Sequence, residues 1–244
     1  MPDHGAKSLL HASTPRGRDI DAVIFDLDGT LVDSEPNYFE ALRKVLAEHR
    51  VDFTLECNRR YVGIGVKEVV DHVKAVYAID EAAAVMMERI NAYYIDFAKK
   101  NTPVFPEMKK LVAELKKHDY PLAVASGSSR SIIEMILSTA DMEPYFDVVI
   151  SSEEVGKGKP EPDVFLEAAK RLGILPERCL VIEDSQYGVL AAKSAAMHCI
   201  AMPGSFDESM QAHYAMADLL FKNGIHDFSA EQVLKWVRTD CLAV

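Results

Sequence analysis

Five short apolar runs constrain this chain more than any other feature: Asp21–Asp26, Pro121–Ala125, Phe146–Ser151, Cys179–Ile182 and Met197–Met202. Each is rich in Val, Ile or Ala, and none alternates strictly with polar residues, which is the pattern of strands buried on both faces of a parallel sheet. Segments of helical length separate most of them. Pro106–His118, Ser128–Ala140, Pro162–Leu172 and Ser185–Ala196 open on Pro or Ser, as helices do. The alternation predicts an α/β fold with a doubly wound parallel sheet, and in such sheets ligands sit beyond the carboxyl ends of the strands.

One interval breaks the rhythm. Roughly ninety residues separate the first run from the second, where a crossover needs only ~10–12. They read as helices over Ser34–His49, Lys67–Tyr77 and Asp80–Lys99, with Gly63 and Gly65 dividing the first two. The expected organisation is therefore a flexible arm at 1–19, a core formed by 20–32 and 105–244, and an inserted α-helical cap at 33–104. At 244 residues the chain can bury a full core.

Charge and cysteine usage narrow the function. Lys and Arg number 27 against 38 Asp and Glu, a net charge of −11, so the dense basic surface that holds a nucleic-acid backbone is missing. One small phosphorylated metabolite needs only a local cation or metal ion and stays open as a partner. Cys57, Cys179, Cys199 and Cys241 lack zinc-ligand spacing and read as reduced thiols, which fits a cytoplasmic location. No apolar stretch approaches the ~20 residues that span a bilayer.

The predicted strand ends carry the chemistry. Asp26 and Asp28 leave the first strand, with Gly29 permitting a tight turn. Glu183 and Asp184 end another, and crowding Asp184 beside Asp26 is repulsive unless a cation lies between them. Magnesium suits carboxylates, a backbone carbonyl and a phosphate oxygen. Ser126 and Gly127 lead into a helix whose free N–H groups favour an anion. Lys159, in a Pro-rich loop, can neutralise both phosphate and Asp26. Ser185 reads as a helix N-cap.

These four segments, in this order, resemble the haloacid dehalogenase superfamily, in particular its phosphatase and phosphomutase branch with a helical cap of the β-phosphoglucomutase type. The resemblance covers about 20–34 and 105–220 and rests on Asp26–Thr30, Ser126, Lys159 and Glu183–Asp184. It implies that Asp26 attacks phosphorus and becomes an aspartyl-phosphate, and that Asp28 protonates the leaving oxygen and then deprotonates water. It further implies that Asp26, Asp184, the Asp28 carbonyl and Glu183, as ligand or supporting partner, surround Mg2+, and that Ser126, Gly127 and Lys159 hold the phosphoryl oxygens. The cap is expected to set the substrate through Glu35, Asn37, Tyr38, Lys67 and Arg89, with Arg130 reaching in from the core.

Mutases of this type place a histidine near the hinge where this chain has Tyr38, and a cap arginine that Lys67 replaces, so water is the expected phosphoryl acceptor. The expected activity is thus a phosphatase for a sugar or polyol phosphate monoester. A phosphomutase is the alternative within catalysis. A receiver-like phosphoacceptor module is the alternative outside it, disfavoured by the long insertion and by Asp28. A movable cap makes a monomer workable, and a homodimer is compatible.

Overall fold

The computed structural model describes residues 20–61, 66–204 and 211–238. The expected arm at 1–19, the Gly63–Gly65 turn and Cys241 lie outside them. Six strands form one all-parallel sheet: β1 (Ala22–Phe25), β2 (Leu122–Ser126), β3 (Val148–Ser151), β4 (Cys179–Glu183), β5 (His198–Ala201) and β6 (Leu219–Leu220), in the order β3-β2-β1-β4-β5-β6. Helices α1 (Glu35–Glu48), α2 (Leu55–Asn58), α3 (Val66–Tyr77) and α4 (Ala83–Ala98) fall between β1 and β2. The remaining helices are α5 (Pro106–Lys117), α6 (Arg130–Thr139), α7 (Asp163–Leu172), α8 (Gln186–Ser194), α9 (Gln211–Tyr214) and α10 (Ala230–Arg238).

Side-chain parity explains the two helical layers. Val23 and Phe25 of β1, Leu122 and Val124 of β2, and Leu180 and Ile182 of β4 share one apolar cluster with Leu111 of α5, Ile133 of α6 and Val233 of α10. The intervening residues Ala22, Ile24, Ala123, Ala125, Cys179 and Val181 face the other side and join Phe165 of α7 and Val189 of α8. Successive strand residues point to opposite faces, so both faces are apolar, and the period-2 alternation is lost from the sequence. Residues on the second face are the smaller, which lets α7 and α8 approach the backbone.

The inserted helices pack on one another, α1 along α4 and α3 against α4, burying Val45, Val70, Met86, Ile90 and Tyr94. Their two connections to the sheet run side by side: Asp33 N–H donates to Pro103 O at 2.8 Å and Phe105 N–H to Leu31 O at 3.1 Å.

Several elements differ from expectation, among them the four-residue helices α2 and α9, which no predicted segment covers. The sixth strand, β6, is two residues long and carries no apolar run of its own. Helix α10 buries Val233 and Val237 beyond the last predicted element. Helix α6 starts at Arg130, since Ser128 turns back into the site.

Candidate active site

Strand register alone gathers most of the charged groups. Phe25 pairs with Val124 on one side and Ile182 on the other, and the Asp26 amide donates to Ile182 O at 3.0 Å. Asp26 and Glu183 therefore emerge at one level of the sheet's carboxyl edge, with Ser126 one residue further along the neighbouring strand. Gly29 then bends the chain with φ +78°, and a Cβ there would lie 2.3 Å from Asp184 Oδ2. Only glycine meets both the conformation and the close approach. Thr30 Oγ1 donates to Asp184 Oδ1 at 3.3 Å, holding this loop to the end of β4.

Lys159 reaches the centre from the segment before α7. Its Nζ donates to Asp26 Oδ1 and to Glu183 Oε1, each at 2.6 Å, and lies 4.8 Å above the Phe165 ring. Burial would lower the Lys159 pKa, but Asp26 and Glu183 outweigh it and raise it. Two carboxylates thus share one ammonium and a third stands beside them: oxygens of Asp26, Glu183 and Asp184 all lie within 4.8 Å of one another.

Burial pushes Asp26 up to about 7 despite Lys159, with Glu183 adding repulsion. Asp184 is raised by desolvation and then by Glu183 and Asp26. Among the described residues no cation pairs with Asp184. An oxygen-only cluster with uncompensated negative charge fits a hard divalent cation. Asp26 and Asp184 are the freer donors, because Glu183 Oε2 also accepts from the Ser185 amide at 2.7 Å and the Ser185 hydroxyl at 3.0 Å.

Asp28 is held from two directions. Tyr94 Oη of α4 donates to its Oδ1 at 2.9 Å, and Ser128 Oγ donates to its Oδ2 at 2.8 Å. Sequence reasoning missed both residues, and only the fold brings together positions 66 and 100 residues apart. Tyr38 stacks on Tyr94 with ring centroids 4.0 Å apart. A hollow of about 600 Å³ opens over these groups, with Asp26, Asp28, Ser126, Gly127, Lys159 and Asp184 in its wall, and Asn91, Ile132 and Tyr187 also line it. Ser126 Oγ accepts the Ser128 amide at 3.1 Å.

The predicted substrate residues divide. Tyr38 lines this hollow. Glu35 lines a neighbouring one of about 460 Å³ that also reaches Asp28; its Oε1 accepts from Asn58 at 2.9 Å, and burial raises its pKa. Neither hollow takes in the other four. Lys67 is exposed and pairs with Asp71 at 2.7 Å. Arg89 is held by Glu81 at 3.0 Å and by Glu48. Arg130 is drawn to Glu134 at 2.6 Å, Glu154 at 3.2 Å and Val149 O at 2.7 Å. Asn37 ties the two connections together through Asn101 O and Thr102 Oγ1, both at 3.1 Å. For the three cations, local carboxylates supply a nearer partner than a ligand would; for Asn37, it is the chain leaving α4.

Comparison with known proteins adds an independent line. Residues 20–196 match the family model described as haloacid dehalogenase-like hydrolase. The chain is 32% identical over 185 residues to a phosphorylated carbohydrates phosphatase of Thermotoga maritima, covering 74% of this chain and 84% of that protein. It is 32% identical over 213 residues to hexitol phosphatase B of Escherichia coli, covering 85% and 93%. Among solved structures, CbbY of Rhodobacter sphaeroides in complex with xylulose-(1,5)-bisphosphate superposes with a TM-score of 0.67 at 26% identity, covering 84% of this chain and 95% of that one. No helix among the described residues is long and apolar enough to cross a membrane.

Proposed function

The chain belongs to the haloacid dehalogenase-like hydrolase family and is a phosphoric monoester hydrolase, and from that premise we propose that it hydrolyses sugar or polyol phosphates in two displacements at Asp26, with Mg2+ as cofactor. The observation that carries this reading is the meeting of Asp26, Asp28, Ser126, Lys159 and Asp184 around one hollow. Asp26 Oδ1 is occupied by Lys159, and Oδ2 accepts no hydrogen bond from the described residues. Oδ2 attacks phosphorus, the P–O ester bond breaks, and Asp28 gives its proton to the departing alcohol. Water then attacks the aspartyl-phosphate and loses a proton to Asp28, which releases phosphate and restores Asp26.

Lys159, Ser126 and the Gly127 amide stabilise the phosphoryl oxygens as charge redistributes. When bound, Mg2+ supplies charge neutralisation for the incoming phosphate, held by Asp26, Asp184 and the Asp28 carbonyl, with Glu183 in support. Helices α1–α4 act as a cap over the hollow, and Glu35 and Tyr38 contact the leaving group. Water is the acceptor. Where a mutase-like chain offers a histidine, Tyr38 is engaged face to face with Tyr94.

A panel of sugar and polyol phosphates, assayed for both phosphate and rearranged esters, tests the reading. Phosphate release should match substrate loss, and chelation should abolish it until Mg2+ is restored. Accumulation of an isomeric sugar phosphate would replace hydrolysis with transfer, and a stable phosphoprotein without turnover would point to a receiver-like module.

Tyr94→Phe keeps the stacked ring and removes one donor to Asp28. The expected result is a kcat about three- to tenfold lower with KM within about twofold. An unchanged kcat would mean that Ser128 alone positions Asp28.

The metal-free protein should also lose stability as pH rises from 5 to 8. Burial pushes the Asp26 carboxyl from the usual carboxylate range up to about 7 in the folded chain, so across this window the folded state binds the extra proton and deprotonation costs stability. Asp184 shifts in the same direction. Mg2+ should therefore raise the melting temperature more at pH 8 than at pH 5. A gain independent of pH would exclude these two carboxylates as the metal's ligands.

A further inference from the structure

We infer that Tyr187 is a specificity-determining residue that packs its ring against the carbon skeleton of the leaving group. The inference deepens the phosphatase reading and rests on it. Of the large apolar and aromatic side chains left exposed among the described residues, Tyr187, at 49%, lines the hollow above Asp26, whereas Leu55 and Leu175 do not.

Three other groups around that hollow have work already. Lys159 is spent on Asp26 and Glu183, Tyr94 on Asp28, and Tyr38 on Tyr94. Among the described residues, Tyr187 makes no hydrogen bond, ion pair or ring contact, so both its face and its hydroxyl are free. An unpartnered aromatic ring at the rim of a polar hollow is the surface that C–H faces of a sugar or polyol pack against, while the hydroxyl can meet an alcohol group.

Its position is also fixed. Tyr187 is the second residue of α8, between Ser185, whose Oγ accepts the Gly188 amide at 3.0 Å, and Gly188, where a Cβ would meet Glu183 at 1.8 Å. The Tyr214 hydroxyl donates to Asp184 O at 2.8 Å just before this turn. The backbone under Tyr187 is thus set by the same contacts that set Glu183 and Asp184, and the ring stands on a rigid base at the mouth. Ring contact at this rim should therefore favour esters with a longer carbon skeleton over short ones.

The test compares a hexitol phosphate with 2-hydroxyethyl phosphate, with Mg2+ present, in wild type, Tyr187→Ala, Tyr187→Phe and the control Leu175→Ala. In Tyr187→Ala the ratio of KM for the hexitol ester to KM for the two-carbon ester should rise about five- to tenfold over wild type. Tyr187→Phe should recover most of that ratio, because the ring carries the contact, and Leu175→Ala should leave it unchanged. Equal KM changes on both esters, or no change on either, would overturn the assignment while leaving the phosphatase reading intact. Wild-type protein that turns over neither ester nor any other phosphate monoester would sink that reading, and this inference with it.

Discussion

Asp26→Asn should lower kcat on any phosphate monoester by at least about a thousandfold while the folded chain persists. The amide has nearly the shape of the carboxylate but cannot form the acyl-phosphate bond, so the first displacement has no nucleophile. The fold should tolerate the change for an electrostatic reason. Losing one carboxylate weakens the ion pair to Lys159, but it also relieves repulsion from Glu183 and Asp28 that, with desolvation, holds the Asp26 pKa up. Rapid-quench labelling with a radioactive ester should trap phosphate on wild type and none on the variant. Turnover of an aryl phosphate at the wild-type rate would remove the covalent step from the mechanism.

The largest expected loss of stability comes from a residue with no chemistry. Gly188→Ala would put a Cβ 1.8 Å from Glu183 Oε1 and 1.9 Å from its Cδ. Glu183 is 1% exposed and cannot step aside, because one oxygen accepts Lys159 and the other accepts the Ser185 amide and hydroxyl. Displacing it takes from the buried Lys159 ammonium one of its two carboxylate partners and leaves Glu183 itself unpaired, at a cost of about 3–5 kcal/mol. For a chain of this length that corresponds to a fall in melting temperature of roughly 6–15 °C.

Gly127→Ala is the contrast, since a Cβ there meets nothing within 4 Å, and its melting temperature should hold. In a double-mutant cycle with Glu183→Ala, the Gly188→Ala penalty should shrink, because the clashing carboxylate is gone. A Gly188→Ala protein that melts within about 2 °C of wild type would show that Glu183 has room the packing denies.

The core of the site was legible because it is a consequence of topology. Short apolar runs predict strands, parallel strands put their carboxyl ends on one side, and Asp26, Ser126 and Glu183 each stand at or just beyond such an end. Long-range partners were not legible. Nothing near Tyr94 or Ser128 in sequence marks them as donors to Asp28, since helical spacing gives a face but not what that face meets. Lys67, Arg89 and Arg130 show the converse difficulty. A cation near a predicted site attracts attention, yet each lies beside carboxylates that satisfy it at lower entropic cost. Strand β6 escaped because two leucines make no pattern.

The difference in side-chain size between the two faces of the sheet sets where change can accumulate. On the side of α7 and α8, alanines and cysteines stand among Ile24, Ile150 and Val181, and an added methylene at the fully buried Ala123, Ala125 or Ala201 should be poorly tolerated. The opposite side interleaves Leu, Ile, Val and Phe, where one substitution can be absorbed by rotamer shifts in its neighbours. Directed evolution of this scaffold should therefore draw its neutral variation from the bulky layer, and leave the thin one nearly untouched.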